Sequence, residues 1–332
     1  MKNSPLQICD ATIQPGEIVS MALPTPELYS CAPMYIPIHV IHGKSVGPCL
    51  LICAAIHGDE INGVEIIRRL LRLSLLKKLH GTLIAVPVMN VHGLINRSRL
   101  LPDGRDLNAS FPGSQVGSHA ARLAYTFTNE ILSKVTHCID VHSGKINHVH
   151  LPQIYVNYHH SKSQNLAKIF PAPVILNLPT PNPGSLYETT QKNNILTLIY
   201  EAGEALRFDE FAIRIGLRGI LSVIREIGML PKLRYKQTKF KEPIVSHAWD
   251  WVRAPTGGIS KILIRLGGKV EKGDKLAVIS DPFGSKQEYQ VNAESAGIII
   301  GRNNLPLINE GEPLLKIAKI GKKSPAKWSE TY

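Results

Sequence analysis

Three short apolar runs in this chain end on a polar side chain able to hold a metal or a proton, with glycine directly after it or within two residues. They are AAIHGDE (54–60), IDVHSG (139–144) and LIYEAG (198–203). Buried runs separated by amphipathic stretches are the pattern of an α/β sheet, and such alternation continues from about residue 35 to 230. CLLICAAI (49–56) reads as a buried strand, followed by a helix over 62–79 with apolar residues at helical spacing. GTLIAVPVMN (81–90) reads as a second strand. In 119–135, Leu123, Phe127, Ile131 and Val135 recur every fourth residue, which predicts a helix with one buried stripe. HCIDVHSG (137–144) and ILTLIYEAG (195–203) read as further strands, and 209–230 as a closing helix. In an open α/β sheet the carboxyl ends of neighbouring strands line one crevice, so His57, His142 and Glu201 are expected to converge although far apart in sequence.

After Pro231 the texture changes. A basic stretch, KLRYKQTKFK (232–241), precedes short alternating segments broken by Gly-Gly and similar turn signals. The expected fold is therefore a mixed, largely parallel sheet flanked by helices, with a small C-terminal all-β unit. The expected divisions are 1–231 for the catalytic domain, its N-terminal β segment included, 232–250 for a linker, 251–320 for the β unit and 321–332 for a basic tail.

Composition narrows the function classes. With 44% apolar residues in 332, disorder is excluded as the dominant state. No uncharged apolar run is long enough to span a bilayer, and the start has no apolar segment of signal-peptide length. The five cysteines are odd in number and irregularly spaced, as expected in a reducing cytoplasm, and CLLIC (49–53) reads as core packing. The charge of +12 invites a nucleic-acid reading, but the basic clusters fall in the 232–241 stretch and the tail, and aromatic residues are only 6%, without a basic/aromatic platform for stacking bases. Neither nucleic acid nor membrane is an expected partner.

His57 and Glu60 form H-x-x-E across a strand-to-helix turn, with Glu60 expected in the first helical turn. With His142 as a third ligand the set becomes His₂Glu, a catalytic zinc arrangement that leaves one position for water. Oxygen and nitrogen donors without thiolate favour zinc, with manganese, cobalt and iron as alternatives. H-x-x-E alone also describes a solvent-facing histidine and a helix-start glutamate that suits the dipole. Asp140 lies two residues before His142 and projects to the same side of a strand, where it would orient a ligand imidazole. Glu201 is the free carboxylate for general base and then general acid work. The loop NRSRLLPDGRDLNASFPGS (96–114) carries arginines suited to polarising a carbonyl.

HGDExxG, DLNxSFPG, DVHSG and YEAG, in this order, resemble the succinylglutamate desuccinylase/aspartoacylase family, a branch of the zinc carboxypeptidase superfamily. The resemblance covers roughly 35–230, and the β unit is similar to the small domain such proteins carry. It implies one Zn2+ per chain held by His57, Glu60 and His142, with Glu201 as catalytic carboxylate. It further implies Arg99 as the carbonyl-polarising arginine, Asp106 as a supporting acid and Asn108 as a substrate contact. The family pattern continues D-L-N-R, whose arginine holds a substrate carboxylate, whereas this chain has Ala109. Arg105 or Arg122 would have to supply that charge, or the substrate lacks the carboxylate.

The resulting expectation is a cytoplasmic zinc-dependent deacylase that cleaves the amide of a small N-acylated amine or amino acid. The alternatives are a metallocarboxypeptidase acting on peptides and a non-catalytic binding member of the fold. GGKVEKGDKLAVI resembles the hairpin framework of biotinyl/lipoyl carriers, with Lys286 in a turn, but the recognition context of a modified lysine is missing and a structural role is favoured.

Overall fold

The computed structural model describes residues 1–232, 242–285 and 287–320. Lys286, the tail 321–332 and most of the basic stretch lie outside these residues. The strand Cys49–Ala54 shows how the sequence builds the core. Its side chains alternate in direction, so Leu50, Ile52 and Ala54 enter one apolar cluster while Leu51 and Cys53 enter another. The first cluster is completed by helices Asn62–Leu71 and Glu210–Glu226, through Ile66, Leu70, Ile213 and Ile220. The second is completed by helix His119–Glu130, through Leu123 and Phe127. A strand buried on both faces must be apolar throughout, which is why these runs lack polar alternation.

Four strands, Leu196–Glu204, His137–Gly144, Cys49–Ala54 and Thr82–Val86, run parallel side by side in that order. Tyr35–His42 and Ile18–Pro24 extend one edge antiparallel. On the other edge His148–Val156 pairs antiparallel with Leu196–Glu204. Beyond it come Gly297–Asn303, Pro313–Lys319 and Trp249–Arg253, also antiparallel, completing a 13-stranded sheet together with side branches. Half of the C-terminal β unit thus continues the main sheet. The other half is a four-stranded sheet, ordered Tyr289–Asn292, Lys275–Ser280, Gly258–Ile262, Leu307–Ile308, and the two halves share a core that includes Leu276, Ile279, Ile299 and Leu315.

Several expected elements have other limits. Helix Asn62–Leu71 is followed by a short 3-10 turn, Ser74–Lys78, and the strand in 81–90 stops at Val86. The segment read as a linker contains strand Ile244–Ser246, which pairs in parallel with Val174–Asn177. Among the described residues no helix is long and apolar enough to cross a membrane. The five cysteines are free; Cys53 is packed in the core, and burial pushes the Cys49 thiol up to about 12.

Glu65 fastens the helical face that backs the site. It accepts hydrogen bonds from Arg68 and Arg69, and Arg69 also donates to Glu210 on the neighbouring helix. The Arg68 hydrogen bond is the main reason the Glu65 carboxyl is held down at about 2. A depressed carboxyl stabilises the fold above its unfolded value, near 4.5, and that contribution is lost as pH falls towards 2. Glu65→Gln should cost about 1 kcal/mol at neutral pH, the pair being partly screened by solvent. Denaturation of both forms should show this gap narrowing as the pH is lowered from about 5; a gap that stays constant with pH would contradict the assignment.

Candidate metal and catalytic site

Strand Cys49–Ala54 delivers His57 through a tight turn in which Glu60 N–H donates to the His57 carbonyl at 3.1 Å. The glycine of HGDE is required by close approach. A Cβ on Gly58 would meet the Gly93 carbonyl carbon at 2.0 Å and Leu94 N at 2.2 Å, both backbone atoms that cannot yield. Helix Asn62–Leu71 begins after an N-cap at Ile61, so Glu60 lies in the turn itself, one residue short of the cap, rather than in the first helical turn. Asn62 ties this turn to the end of the Glu201 strand, donating to Glu204 O and accepting from Asp209 N.

His57, Glu60 and His142 each offer one ligand atom, and these atoms lie within 4.8 Å of one another. All three residues are buried. Glu60 sits between the rings: Oε1 is 2.7 Å from His57 Nδ1, and Oε2 is 2.9 Å from His142 Nδ1 and accepts from Ser143 N–H at 3.2 Å. Each ring turns its other nitrogen to a second carboxylate. His142 Nε2 is 2.9 Å from Asp140 Oδ2, and His57 Nε2 is 3.2 Å from Asp106 Oδ1, though off the hydrogen-bond axis. Two imidazoles oriented by outer carboxylates, with like nitrogens facing a shared third donor, form the donor set and support expected of a divalent metal centre. Burial alone would lower the pKa of both histidines, but the carboxylates outweigh it (Glu60 foremost at His57, Asp140 at His142) and raise them. Burial likewise opposes charge on Glu60, yet the two imidazoles hold its carboxyl below the usual range.

Asp106 joins the loop to this cluster. It caps the short turn Leu107–Ala109 by accepting from Asn108 N–H, and its Oδ2 accepts from Arg99 Nε at 3.0 Å with Nη2 of the same guanidinium 2.9 Å away. Arg99 Nη1 is 3.6 Å from Glu60 Oε1, so this arginine borders the three-residue cluster. Asn108 lies beside it, but its side-chain oxygen accepts from Leu186 N–H at 2.9 Å. Arg105 is not brought in: its side chain is 65% exposed and pairs with Asp103 at 3.9 Å. Arg122 is exposed too, its Nε donating to Gly117 O. Neither arginine stands in for the one missing at Ala109, which is itself exposed.

Glu201 is the register partner of His142 on the adjacent parallel strand, so the two side chains share a face of the sheet. Its carboxylate is in close contact with His150 Nδ1 and also bonds Tyr155, with the Lys316 ammonium nearby. Burial would raise the Glu201 pKa, but His150 dominates and holds it down at about 2, so it is a carboxylate at neutral pH. The sequence reading missed His150, Tyr155 and Lys316. The available signal was Lys316 itself, a charge in the middle of the apolar strand PLLKIAK.

A profile of the succinylglutamate desuccinylase/aspartoacylase catalytic domain matches residues 46–227, more than half of the chain. An N-alpha-acetyl-L-2,4-diaminobutyric acid deacetylase of Halomonas elongata is 24% identical over 294 residues, spanning 86% of each chain. The product-bound ectoine utilization protein EutE of Ruegeria pomeroyi superposes with a TM-score of 0.80 at 24% identity, covering 91% of this chain and 95% of that one. A succinylglutamate desuccinylase of Silicibacter sp. gives a TM-score of 0.81 at 22% identity, covering 96% and 99%. The fold is thus the one these structures share, a zinc carboxypeptidase-like mixed sheet with flanking helices and an added C-terminal β sheet. Within that class the chain belongs to the succinylglutamate desuccinylase/aspartoacylase family, a family of deacylases.

His57→Ala removes one donor and leaves Asp106 without its imidazole. Elemental analysis of the purified variant should show bound divalent metal falling well below one equivalent per chain, and full retention would remove His57 from the ligand set. Gly58→Ala should also lower metal content, and should cost about 1–3 kcal/mol of stability from the backbone clash, measured by thermal unfolding.

Proposed function

We propose that this chain is a zinc-dependent deacylase hydrolysing the amide of a small N-acylated amino acid or related amine. The observation that carries this reading is the presentation of His57 Nδ1 and His142 Nδ1 to one buried carboxylate, Glu60, with Asp106 and Asp140 behind the rings. A zinc ion held by His57, Glu60 and His142 would supply Lewis acidity toward a carbonyl oxygen and lower the pKa of a water. Arg99 donates to the same carbonyl oxygen, stabilising negative charge as it develops there. Glu201, held as a carboxylate by His150, takes a proton from the attacking water. The same carboxyl then gives that proton to the leaving nitrogen as the C–N bond breaks, so that one water and one amide yield a carboxylate and an amine. Asn108 retains its side-chain N–H₂ for the substrate, since only its oxygen is engaged by Leu186.

The Halomonas relative supports a small acylated amino acid as the substrate class, because its name specifies an acetylated diaminobutyric acid. Ala109 argues against an enzyme anchored on a peptide C-terminus by the usual arginine. The unpaired cysteines suit a reducing, cytoplasmic setting.

The test is a panel of N-acetyl, N-succinyl and longer N-acyl amino acids beside short peptides, scored for released amine on zinc-loaded protein. Turnover of acylated amino acids over peptides is expected; turnover of peptides alone would favour a carboxypeptidase, and full zinc without any turnover a binding protein. Glu201→Gln should keep its metal and lose activity by about 100-fold or more. A variant with normal rates would refute the role of Glu201.

A further inference from the structure

Beside Glu201 the C-terminal β unit places a buried charge that the chemistry above does not use. Trp251, Lys316, Gly301, His150 and Gly203 form one transverse row across five neighbouring strands, each the register partner of the next. Gly301 has no side chain for a steric reason: a Cβ there would lie 2.9 Å from His150 Cδ2 and 3.0 Å from Lys316 Cβ. The gap lets Lys316 and His150 flank the same point of the sheet. Lys316 is only 6% exposed, and its Nζ donates to Tyr155 Oη at 2.9 Å while lying 5.4 and 5.7 Å from the Tyr155 and Trp251 ring centres.

Donor and acceptor counting fixes the direction of this chain of bonds. An ammonium can only donate, so Tyr155 Oη accepts from Lys316 Nζ; Gln153 Nε2 lies 3.3 Å from the same oxygen, while Gln153 Oε1 has no partner. Glu201 pairs across the strands with Gln153, and Tyr155 lies two residues on along the same face, so its hydroxyl reaches the Glu201 carboxylate; a carboxylate can only accept, and the hydroxyl proton points to it. His150 Nδ1 donates to the same carboxylate. Glu201 is therefore gripped by two donors, and one of them is aimed by a lysine from the other end of the chain.

We infer that Lys316 is a positioning residue for Glu201, acting through the Tyr155 hydroxyl, and that the C-terminal β unit thereby completes the catalytic machinery. This rests on Glu201 being the general base. Removing Lys316 frees the Tyr155 hydroxyl to turn away, which loosens the carboxylate without touching the metal donors or the substrate loop.

The experiment is a double-mutant cycle on the zinc-loaded full chain, with metal content and thermal midpoint recorded for each form. Lys316→Met should lower kcat roughly ten- to hundredfold, with KM and zinc content little changed. Lys316→Arg, which keeps the charged donor, should recover most of the loss. In a Tyr155→Phe background, which itself lowers kcat, Lys316→Met should add less than about a twofold further loss, since the intermediary is already gone. Wild-type kcat for Lys316→Met, or an equal loss in both backgrounds, would overturn the inference. Should Lys316→Met fail to fold, Tyr155→Phe alone decides: a kcat at the wild-type level would leave Lys316 no route to Glu201. Failure here with Glu201→Gln inactive leaves the deacylase reading intact, whereas an active Glu201→Gln removes the base on which both depend.

Discussion

One buried carboxylate, Glu60, bridges two imidazoles, one from the turn that follows Cys49–Ala54 and one from the neighbouring strand His137–Gly144, and the surrounding site is organised around that contact. A carboxylate out of water is costly unless fully paired, and Glu60 is paired by His57, His142 and the Ser143 N–H. The imidazoles in turn need the outer carboxylates Asp140 and Asp106, and Asp106 needs Arg99. Carboxylates alternate with nitrogen donors from the sheet out to the loop. Removing one member leaves a neighbouring charged or polar group without its partner, which is costly where that group is buried.

The sheet is the device that makes the contact possible. Parallel strands bring His142 and Glu201 into register, and the turn after Cys49–Ala54 swings His57 and Glu60 over the same edge. The same sheet then continues past His148–Val156 into the C-terminal strands. Hydrogen bonding between strands places residues with a regularity that loops cannot match, so Lys316 reaches Glu201's surroundings from more than a hundred residues away. The β unit is therefore joined to the catalytic part by backbone pairing as well as by sequence.

Much of this was legible in the residues. CLLICA and HCIDVHSG announce strands because burial on both faces removes polar alternation, and polar endings such as His57 and His142 stand out against those runs. The local pair His57–Glu60 and the near neighbour Asp140 follow from turn and strand geometry alone. What escaped depends on pairing between distant segments. His148–Val156 has Pro152 and Gln153 in its middle and does not read as a central strand, so His150 and Tyr155 went unnoticed. Lys316 was visible as a charge in an apolar strand, but nothing local says which side chain it would meet. Arg105 has the right chemistry in the right loop and faces solvent instead, because the hydrogen bonds of Leu101, Asp103 and Asp106 set the loop's path and sequence does not reveal them. At Ala109 neither Arg105 of the loop nor Arg122 of helix His119–Glu130 takes the place of the arginine in the family pattern.

The central claim is that His57, Glu60 and His142 together hold one divalent ion. Anomalous diffraction from crystals of the zinc-loaded protein, recorded on both sides of the zinc edge, tests it most directly. A single strong peak per chain, bonded to both imidazoles and the Glu60 carboxylate and facing Glu201, is the predicted result. A peak elsewhere, or none with the two imidazoles still closed on Glu60, would contradict the account.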